Sequence, residues 1–360
     1  MHIIVKNKND IQIKNSKTMK EILVTGGTGY IGSHTVVELH NAGYKPIIID
    51  NLSNSNIRIL DQIEKIIGYK PEFYEFDLCQ EQKVIEFVNN HPNIQGIIHF
   101  AASKAVGESV QEPLKYYRNN FFSLINLLQA YQQKPIHFVF SSSCTVYGEP
   151  DILPVTEEAP VKKATSPYGN TKQIAEEILE EIASAKDNYQ IIALRYFNPV
   201  GAHDSGLIGE LPIGVPQNLL PFITQTAIGK REELTVFGGD YDTPDGTCIR
   251  DYIHVVDLAK AHVAAIQRME QGKSAAKYEV YNVGTGNGYS VLEAIKAFEK
   301  YAGQSLNYKI GPRREGDIEK VWGDVNKSQK ELNWKAKLGI DEMMSSAWKW
   351  ENYLKENPIQ

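Results

Sequence analysis

The stretch VTGGTGYIGSH, residues 24–34, follows the short apolar run EILV (21–24) and leads into a helical pattern. It satisfies G-x-G-x-x-G through Gly27, Gly29 and Gly32, and G-x-x-G-x-x-G through Gly26, Gly29 and Gly32. Glycines in a strand-to-helix turn let the backbone bend sharply and approach a pyrophosphate, which then rests on the helix N-terminus. The pattern alone is weak, but here a strand precedes it and a helix follows. An acid, Asp50, closes the second apolar run in PIIIDN. A carboxylate at that place bonds ribose hydroxyls and repels a 2′-phosphate, so the expected cofactor is NAD rather than NADP. Asp77, in YEFDL after the third strand, is either an adenine contact or an ordinary turn residue.

Working outward, apolar runs alternate with helical segments. EILV (21–24), PIIID (46–50), GIIHF (96–100), HFVF (137–140) and IIALRYF (191–197) are nearly continuous in hydrophobicity, which marks strands covered on both faces of a parallel sheet. Helices are expected over 31–42, 56–67, 82–90, 113–131 and 167–186. The predicted class is α/β, a doubly wound parallel Rossmann sheet spanning 20–197. Beyond 198 the chain turns rich in Gly and Pro, with shorter elements. We expect there a smaller α/β lobe over the strand ends, reaching to 360, part of which returns to the first domain.

At 360 residues with 42% hydrophobic and 23% charged residues, the composition is that of a globular protein with a large core. A net charge of −6 argues against general nucleic-acid binding, and no apolar run approaches the ~20 residues of a membrane span. Cys79, Cys144 and Cys248 are too far apart for a zinc site or a disulfide framework, which suits a reducing cytoplasm. The nine histidines form no HxH or HExxH pattern, so no metal is expected. Residues 1–19, rich in Lys and Asn, read as a loosely ordered extension before Met19.

SPYGNTK (166–172) supplies the candidate chemistry. Ser166 can cap a helix beginning at Pro167, and Tyr168 and Lys172 then share one face. Of the 19 tyrosines only Tyr168 has a lysine four residues on, though one such match is about what chance would give. SSSCTVYG (141–148) begins where the fifth strand ends, at the edge where such folds bind ligands, so Ser143 can meet Tyr168. A phenolate there would take a hydroxyl proton while the carbon bearing it gives a hydride to NAD. Lys172 and the cationic nicotinamide are both expected to lower the Tyr168 pKa.

VTGGTGYIGSHT, DNLSNS, HFAASKAVGESVQEPLKYYRNN, FSSSCTVYGEP, SPYGNTK, LRYFNPVGAH, RDYIHVVDLA, YNVGTG and RREGD together are similar to the extended short-chain dehydrogenases, and within them to the UDP-glucose 4-epimerase (UDP-galactose 4-epimerase) family. The resemblance runs from about Met19 to residue 353. It implies oxidation of the sugar at carbon 4 by bound NAD, rotation of the keto sugar about its pyrophosphate, and return of the hydride to the opposite face. By the same resemblance Tyr168 is the base, Lys172 its activator and Ser143 the hydroxyl partner. The cofactor shell comprises Gly26, Gly29, Tyr30, Ile31, Gly32, Asp50, Asn51, Asn54, Ser55, Asp77, Leu78, Phe100, Ala101, Lys104, Asn119, Ser141 and Tyr196, with Tyr168 and Lys172. The UDP-hexose would meet Phe197, Asn198, Asn218, Leu219, Phe237, Arg250, Arg314, Asp317 and Val321, with Ser143 and Tyr168. Val321 stands where some relatives carry a tyrosine that crowds carbon 2, so UDP-N-acetylhexosamines are expected substrates as well.

Cys144 after the serine, and Ala102-Ser103 in HFAAS, depart from the commoner pattern and are expected to be silent or nearly so. A homodimer through 113–131 and 167–186 is implied, although Phe121, Phe122, Leu124, Leu127 and Leu128 could equally face the chain's own core. Three rivals remain. A nucleotide-sugar 4,6-dehydratase needs an acid pair after the strand-end hydroxyl, where this chain has Cys144-Thr145. A UDP-glucuronate decarboxylase needs further cations for its carboxylate. A non-catalytic NAD-binding regulator would not need both Tyr168 and Lys172.

Overall fold

A computed structural model describes residues 19–314 and 317–359. The expected N-terminal extension lies, apart from Met19, outside the described residues. The first half of the chain runs β1 (Glu21–Thr25), α1 (Tyr30–Asn41), β2 (Lys45–Asp50), α2 (Ile59–Ile67), β3 (Glu72–Glu75), α3 (Glu81–Asn90), β4 (Ile94–His99), α4 (Val106–Gln111), α5 (Pro113–Ala130), β5 (Ile136–Ser143), α6 (Pro167–Ala185) and β6 (Tyr189–Tyr196). Then follow β7 (Asn198–Val200), α7 (Leu219–Ala227), β8 (Leu234–Phe237), β9 (Ile249–Arg250), β10 (Tyr252–His254), α8 (Val255–Glu270), β11 (Tyr278–Val283), β12 (Tyr289–Ser290), α9 (Val291–Ala302), β13 (Tyr308–Gly311), β14 (Lys320–Val321), α10 (Asn326–Glu331) and α11 (Ile340–Glu356).

Among the described residues the main sheet has seven parallel strands in the order β11-β6-β5-β4-β1-β2-β3. Its central strands are largely apolar because both faces are covered, while the edge strand β3 (EFYE) is exposed at both ends. Ile22, Val24, Ile48, Val139 and Ile192 turn to one side, against α1, α2 and α8. Leu23, Ile47, Ile49, Phe138 and Ile191 turn to the other, against α3, α5 and α6. Alternation of side chains along each strand produces the two cores. The strand order reverses beside β1, between β1 and β4, which is where an open α/β sheet leaves a crevice at its carboxyl edge.

Residues 198–359 contribute to both parts of the molecule. β11 pairs with β6 and α8 packs against α1, completing the main sheet and its cover. β8 with β13, and β9 with β12 and β14, form small sheets over a third core of Val200, Leu220, Ile223, Val236, Phe298 and Met343. Asp257 ties the two regions. Its buried carboxylate accepts the N–H groups of Lys337 (2.7 Å) and Leu338 (2.8 Å), and its carbonyl accepts Trp334 Nε1 (3.0 Å). Asp257→Ala strands two donors, so unfolding should become easier by about 3 kcal/mol. A lowered urea midpoint with unchanged slope is the expected reading, and an unmoved midpoint would deny this clamp a stabilising role.

Several local features differ from the sequence reading. β5 continues through Ser143 instead of ending at 140, because the polar hydroxyls there are buried and partnered. The second helix starts at Ile59, since the Asn56 side chain accepts the Arg58 N–H in a turn (2.9 Å). The helix α4 was not anticipated; its six residues are too short to carry a periodic signal.

Candidate active site

The turn between β1 and α1 is a cradle built for a ligand. Gly26 has φ +71°, and a Cβ there would lie 3.0 Å from the Ala101 nitrogen; a Cβ on Gly32 would lie 2.1 Å from the Gly26 carbonyl oxygen. Gly29 precedes Tyr30 and Ile31, and no side chain caps α1, so its first N–H groups keep their capacity for an anion. At the end of β2 the Asp50 carboxylate is fixed by the Thr28 N–H (3.2 Å), the Leu52 N–H (2.9 Å) and the Ser55 hydroxyl (3.1 Å). Asn51 accepts the Ser53 N–H, and Asn54 lies exposed in the same turn. Asp77 accepts the Cys79 N–H (2.8 Å), a turn role, with Leu78 buried beside it. The residues present thus fit a dinucleotide at the switch point, with a carboxylate where a 2′-phosphate would be repelled.

Phe100 and Ala101 continue from β4 against Gly26. Asn119 donates to the Ser103 hydroxyl and to Asn120 Oδ1, both at 3.2 Å, so Ser103 serves to anchor this loop to α5. Lys104 lies 3.6 Å from Glu210, whose carboxylate also accepts Asn218 Nδ2 at 2.5 Å. Tyr30 reaches across to the Gly201 carbonyl (2.6 Å). Glu210 is therefore a junction between residues expected on the cofactor and one expected on the substrate. No spacing in the sequence marked it.

Ser166 caps α6 by accepting the Gly169 N–H (3.2 Å), and Pro167 occupies the first turn. This start presents Tyr168 to the end of β5, near enough to Ser143 for that side chain to pull the phenol's pKa down, while the Ser143 hydroxyl itself accepts the Thr145 N–H (3.2 Å). Lys172 is buried, donates to the Ser141 carbonyl at 2.6 Å, and sits 4.7 Å from the Phe140 ring and 5.9 Å from the Tyr168 ring. The Ser141 hydroxyl bonds that of Tyr196. Burial lowers the Lys172 ammonium to about 7, against the opposing pull of Glu176. Burial likewise raises the Tyr168 phenol to about 12, opposed by Ser143. The expected lowering of Tyr168 by its neighbours is thus overruled in the protein alone, because desolvation of the phenolate outweighs a lysine whose ammonium is itself held by a carbonyl.

The second cluster forms where β9 and β14 run side by side, placing Arg250 level with Val321. Asp317 accepts Arg314 in a fork (3.1 and 2.7 Å) and lies 4.0 Å from the Arg250 guanidinium. The Arg314 guanidinium is 5.6 Å from the ring of Phe237, which is 40% exposed. Val321 and Phe197 are buried with Val146, Tyr147 and Val155, and Cys144 packs on the same group. Cys144 is next to Ser143, so this cluster adjoins that of Tyr168 and Lys172; burial raises its thiol to about 12, leaving it inert. The Asn198 N–H bonds the Asp251 carbonyl (3.0 Å), and Leu219 opens α7 after Asn218. Asp251 itself, overlooked in the sequence, accepts Thr285 and Gly286 N–H groups (2.8 and 3.0 Å) and so ties RDY to VGTG beneath Arg250.

A family model described as GDP-mannose 4,6 dehydratase matches residues 23–347. The UDP-glucose 4-epimerase of Haemophilus influenzae is 50% identical over 338 residues, which cover 94% of this chain and 98% of that protein. A crystal structure of UDP-glucose 4-epimerase from Bifidobacterium longum, in complex with NAD+ and UDP, superposes with a TM-score of 0.88 at 48% identity, covering 94% of this chain and 99% of that one. The UDP-Glc/GlcNAc 4-epimerase of Campylobacter jejuni gives a TM-score of 0.78 at 36% identity, covering 92% and 99%. Half identical to such an enzyme over nearly its whole length, the chain belongs to the UDP-glucose 4-epimerase family.

Proposed function

We propose that this protein interconverts UDP-glucose and UDP-galactose at carbon 4, with Tyr168, Ser143 and Lys172 as its catalytic residues. The observation that carries this reading is the placing of Tyr168 by α6 beside Ser143 at the end of β5, with the Lys172 ammonium buried behind it, next to a glycine cradle and the Asp50 carboxylate. The cradle, Asp50 and Lys104 would hold NAD, which when bound supplies a hydride acceptor and donor at carbon 4. Tyr168 takes the proton of the carbon-4 hydroxyl as the hydride leaves that carbon, and returns it when the hydride comes back to the other face. Ser143 holds the reacting oxygen and passes its proton. Lys172 stabilises the phenolate. Arg250 and Arg314 suit the pyrophosphate of the sugar nucleotide, and Phe237 offers uracil an apolar face. Between proton transfers the keto sugar must turn about that pyrophosphate.

The small Val321 extends the proposal to UDP-N-acetylhexosamines. A cytoplasmic homodimer fits as well. Phe122 and Leu114 of α5 are exposed, whereas Leu124, Leu127 and Leu128 are spent on the chain's own core. None of the described helices is long and apolar enough to cross a membrane. A 4,6-dehydratase is disfavoured because Ser143 is followed by Cys144 and Thr145 and not by an acid pair.

The test is purified protein given UDP-galactose with no added NAD, the products resolved by chromatography. UDP-glucose should appear, from cofactor carried through purification. Absence of turnover even after NAD is supplied would sink the assignment.

A further inference from the structure

Three consecutive serines end β5, and each has a different partner. The Ser141 carbonyl holds Lys172, and the Ser143 hydroxyl accepts the Thr145 N–H beside Tyr168. Ser142 points the other way along the strand's alternation, toward α6, and donates to Glu176. Glu176 stands one helical turn beyond Lys172, on the same face of α6, where side chains four apart are about 5–6 Å from one another at Cβ. Its carboxylate is buried and held from the far side by Arg195, the register partner of Ser142 on β6. Arg195 Nε lies 3.0 and 3.1 Å from the two carboxylate oxygens and Nη2 lies 2.5 Å from one of them. The guanidinium also lies 4.8 Å from the Tyr147 ring.

Such a pair is more than a fold needs here. Burying a carboxylate and a guanidinium is costly, and an apolar pair of the same volume is often as stable. What an apolar pair would not give is a negative charge beside Lys172. The other groups around this lysine do not supply one. From β4 comes His99, which burial and Lys172 itself keep neutral by lowering it to about 3. From β5 come the Ser141 carbonyl and the Phe140 ring, from β6 Tyr196 and Arg195, and from α6 Tyr168. Tyr278 of β11 faces Glu176 and is raised well above its ordinary value, so it stays neutral.

We propose that Glu176 is a positioning residue of this site: its carboxylate keeps Lys172 an ammonium, and Arg195 sets how much of that charge the lysine feels. The inference rests on the reading of Lys172 given above. It adds that a buried pair one turn further along α6 sets the working pH of the site at the end of β5. Glu176 is not a catalytic residue, since it touches neither the phenol nor the expected substrate.

The experiment follows the Lys172 amine by its ε-carbon NMR signal in ¹³C-lysine-labelled holoenzyme, assigned by its loss in Lys172→Met, and measures kcat and KM against pH alongside. In Glu176→Gln, which keeps size and hydrogen-bonding capacity, the Lys172 titration and the alkaline limb of kcat should both fall by about one pH unit, with KM for UDP-galactose little changed. In Arg195→Gln both should rise, because the carboxylate is then uncompensated. In Glu176→Asp the charge remains, so the titration should stay near that of the native protein even where stability drops. A Lys172 titration unmoved in Glu176→Gln, or displaced in the same direction by Glu176→Gln and Arg195→Gln, overturns the proposal and leaves the pair a packing element. Because the NMR titration needs no turnover, a native protein without epimerase activity would sink the proposed function and still leave Glu176 to be judged.

Discussion

Replacing Tyr168 with Phe will lower UDP-galactose turnover by about 10³- to 10⁴-fold while NAD stays bound. The ring keeps its place at the start of α6, because Ser166 and Pro167 set that helix without the phenol. What disappears is the phenol oxygen that takes up the carbon-4 hydroxyl proton, which the Ser143 hydroxyl can only relay. General acid–base transfer contributes about 10²–10⁴-fold, and here the same group acts in both half-reactions, so the upper part of that range applies. The native enzyme's rate should rise with pH through the Tyr168 titration, since the phenolate is the base. Burial, opposed by Ser143, raises this group to about 12, and added positive charge must bring it down toward the working range. Enzyme retaining cofactor absorbance but not turnover is the expected outcome. Tyr168→Phe with more than a tenth of native kcat would remove the phenol from the mechanism.

How much of this was written in the sequence divides along physical lines. The middle of the main sheet was legible because strands buried on both faces are nearly continuously apolar, whereas the edge strands β3 and β11, with their polar residues, gave no such run; the glycine turn was legible because only glycine fits where a Cβ would strike Ala101 or Gly26. The cap at Ser166 and the Tyr168/Lys172 face follow from helical spacing and came out as read. What the sequence did not show is that burial raises Tyr168 in the protein alone, since desolvation depends on the side chains that close over a residue and these are distant in sequence. Glu210 and Arg195 were missed for the same reason. An acid that pairs with Lys104 and Asn218, or an arginine forked on Glu176, carries no local signature, because its partners lie far away along the chain or on another element. Glu176 alone left a trace, four residues after Lys172. Asp77 was left open between an adenine contact and a turn, and its bond to the Cys79 N–H accounts for the turn only.

The substrate range should hinge on one side chain. Val321 is 4% exposed and sits level with Arg250, in contact with the group formed by Phe197, Val146, Tyr147 and Val155. A tyrosine cannot enter that packed group without displacing it, and overpacking of this kind costs about 1–3 kcal/mol. A ring that turned outward along β14 instead would emerge beside Arg250, the register partner of Val321, on the side proposed for the sugar. UDP-galactose has only a hydroxyl at carbon 2 and loses little. An N-acetyl group needs the volume that the ring now fills. Val321→Tyr should thus lower kcat/KM for UDP-N-acetylgalactosamine by about 10³-fold, near 4 kcal/mol, and that for UDP-galactose by no more than about tenfold. Val321→Ala should retain both activities. Equal losses on the two substrates would point to a disturbed core and not to a gate. Unaltered turnover of the N-acetylated sugar, or its absence in the native protein, would show that the room beside Arg250 is not what admits it.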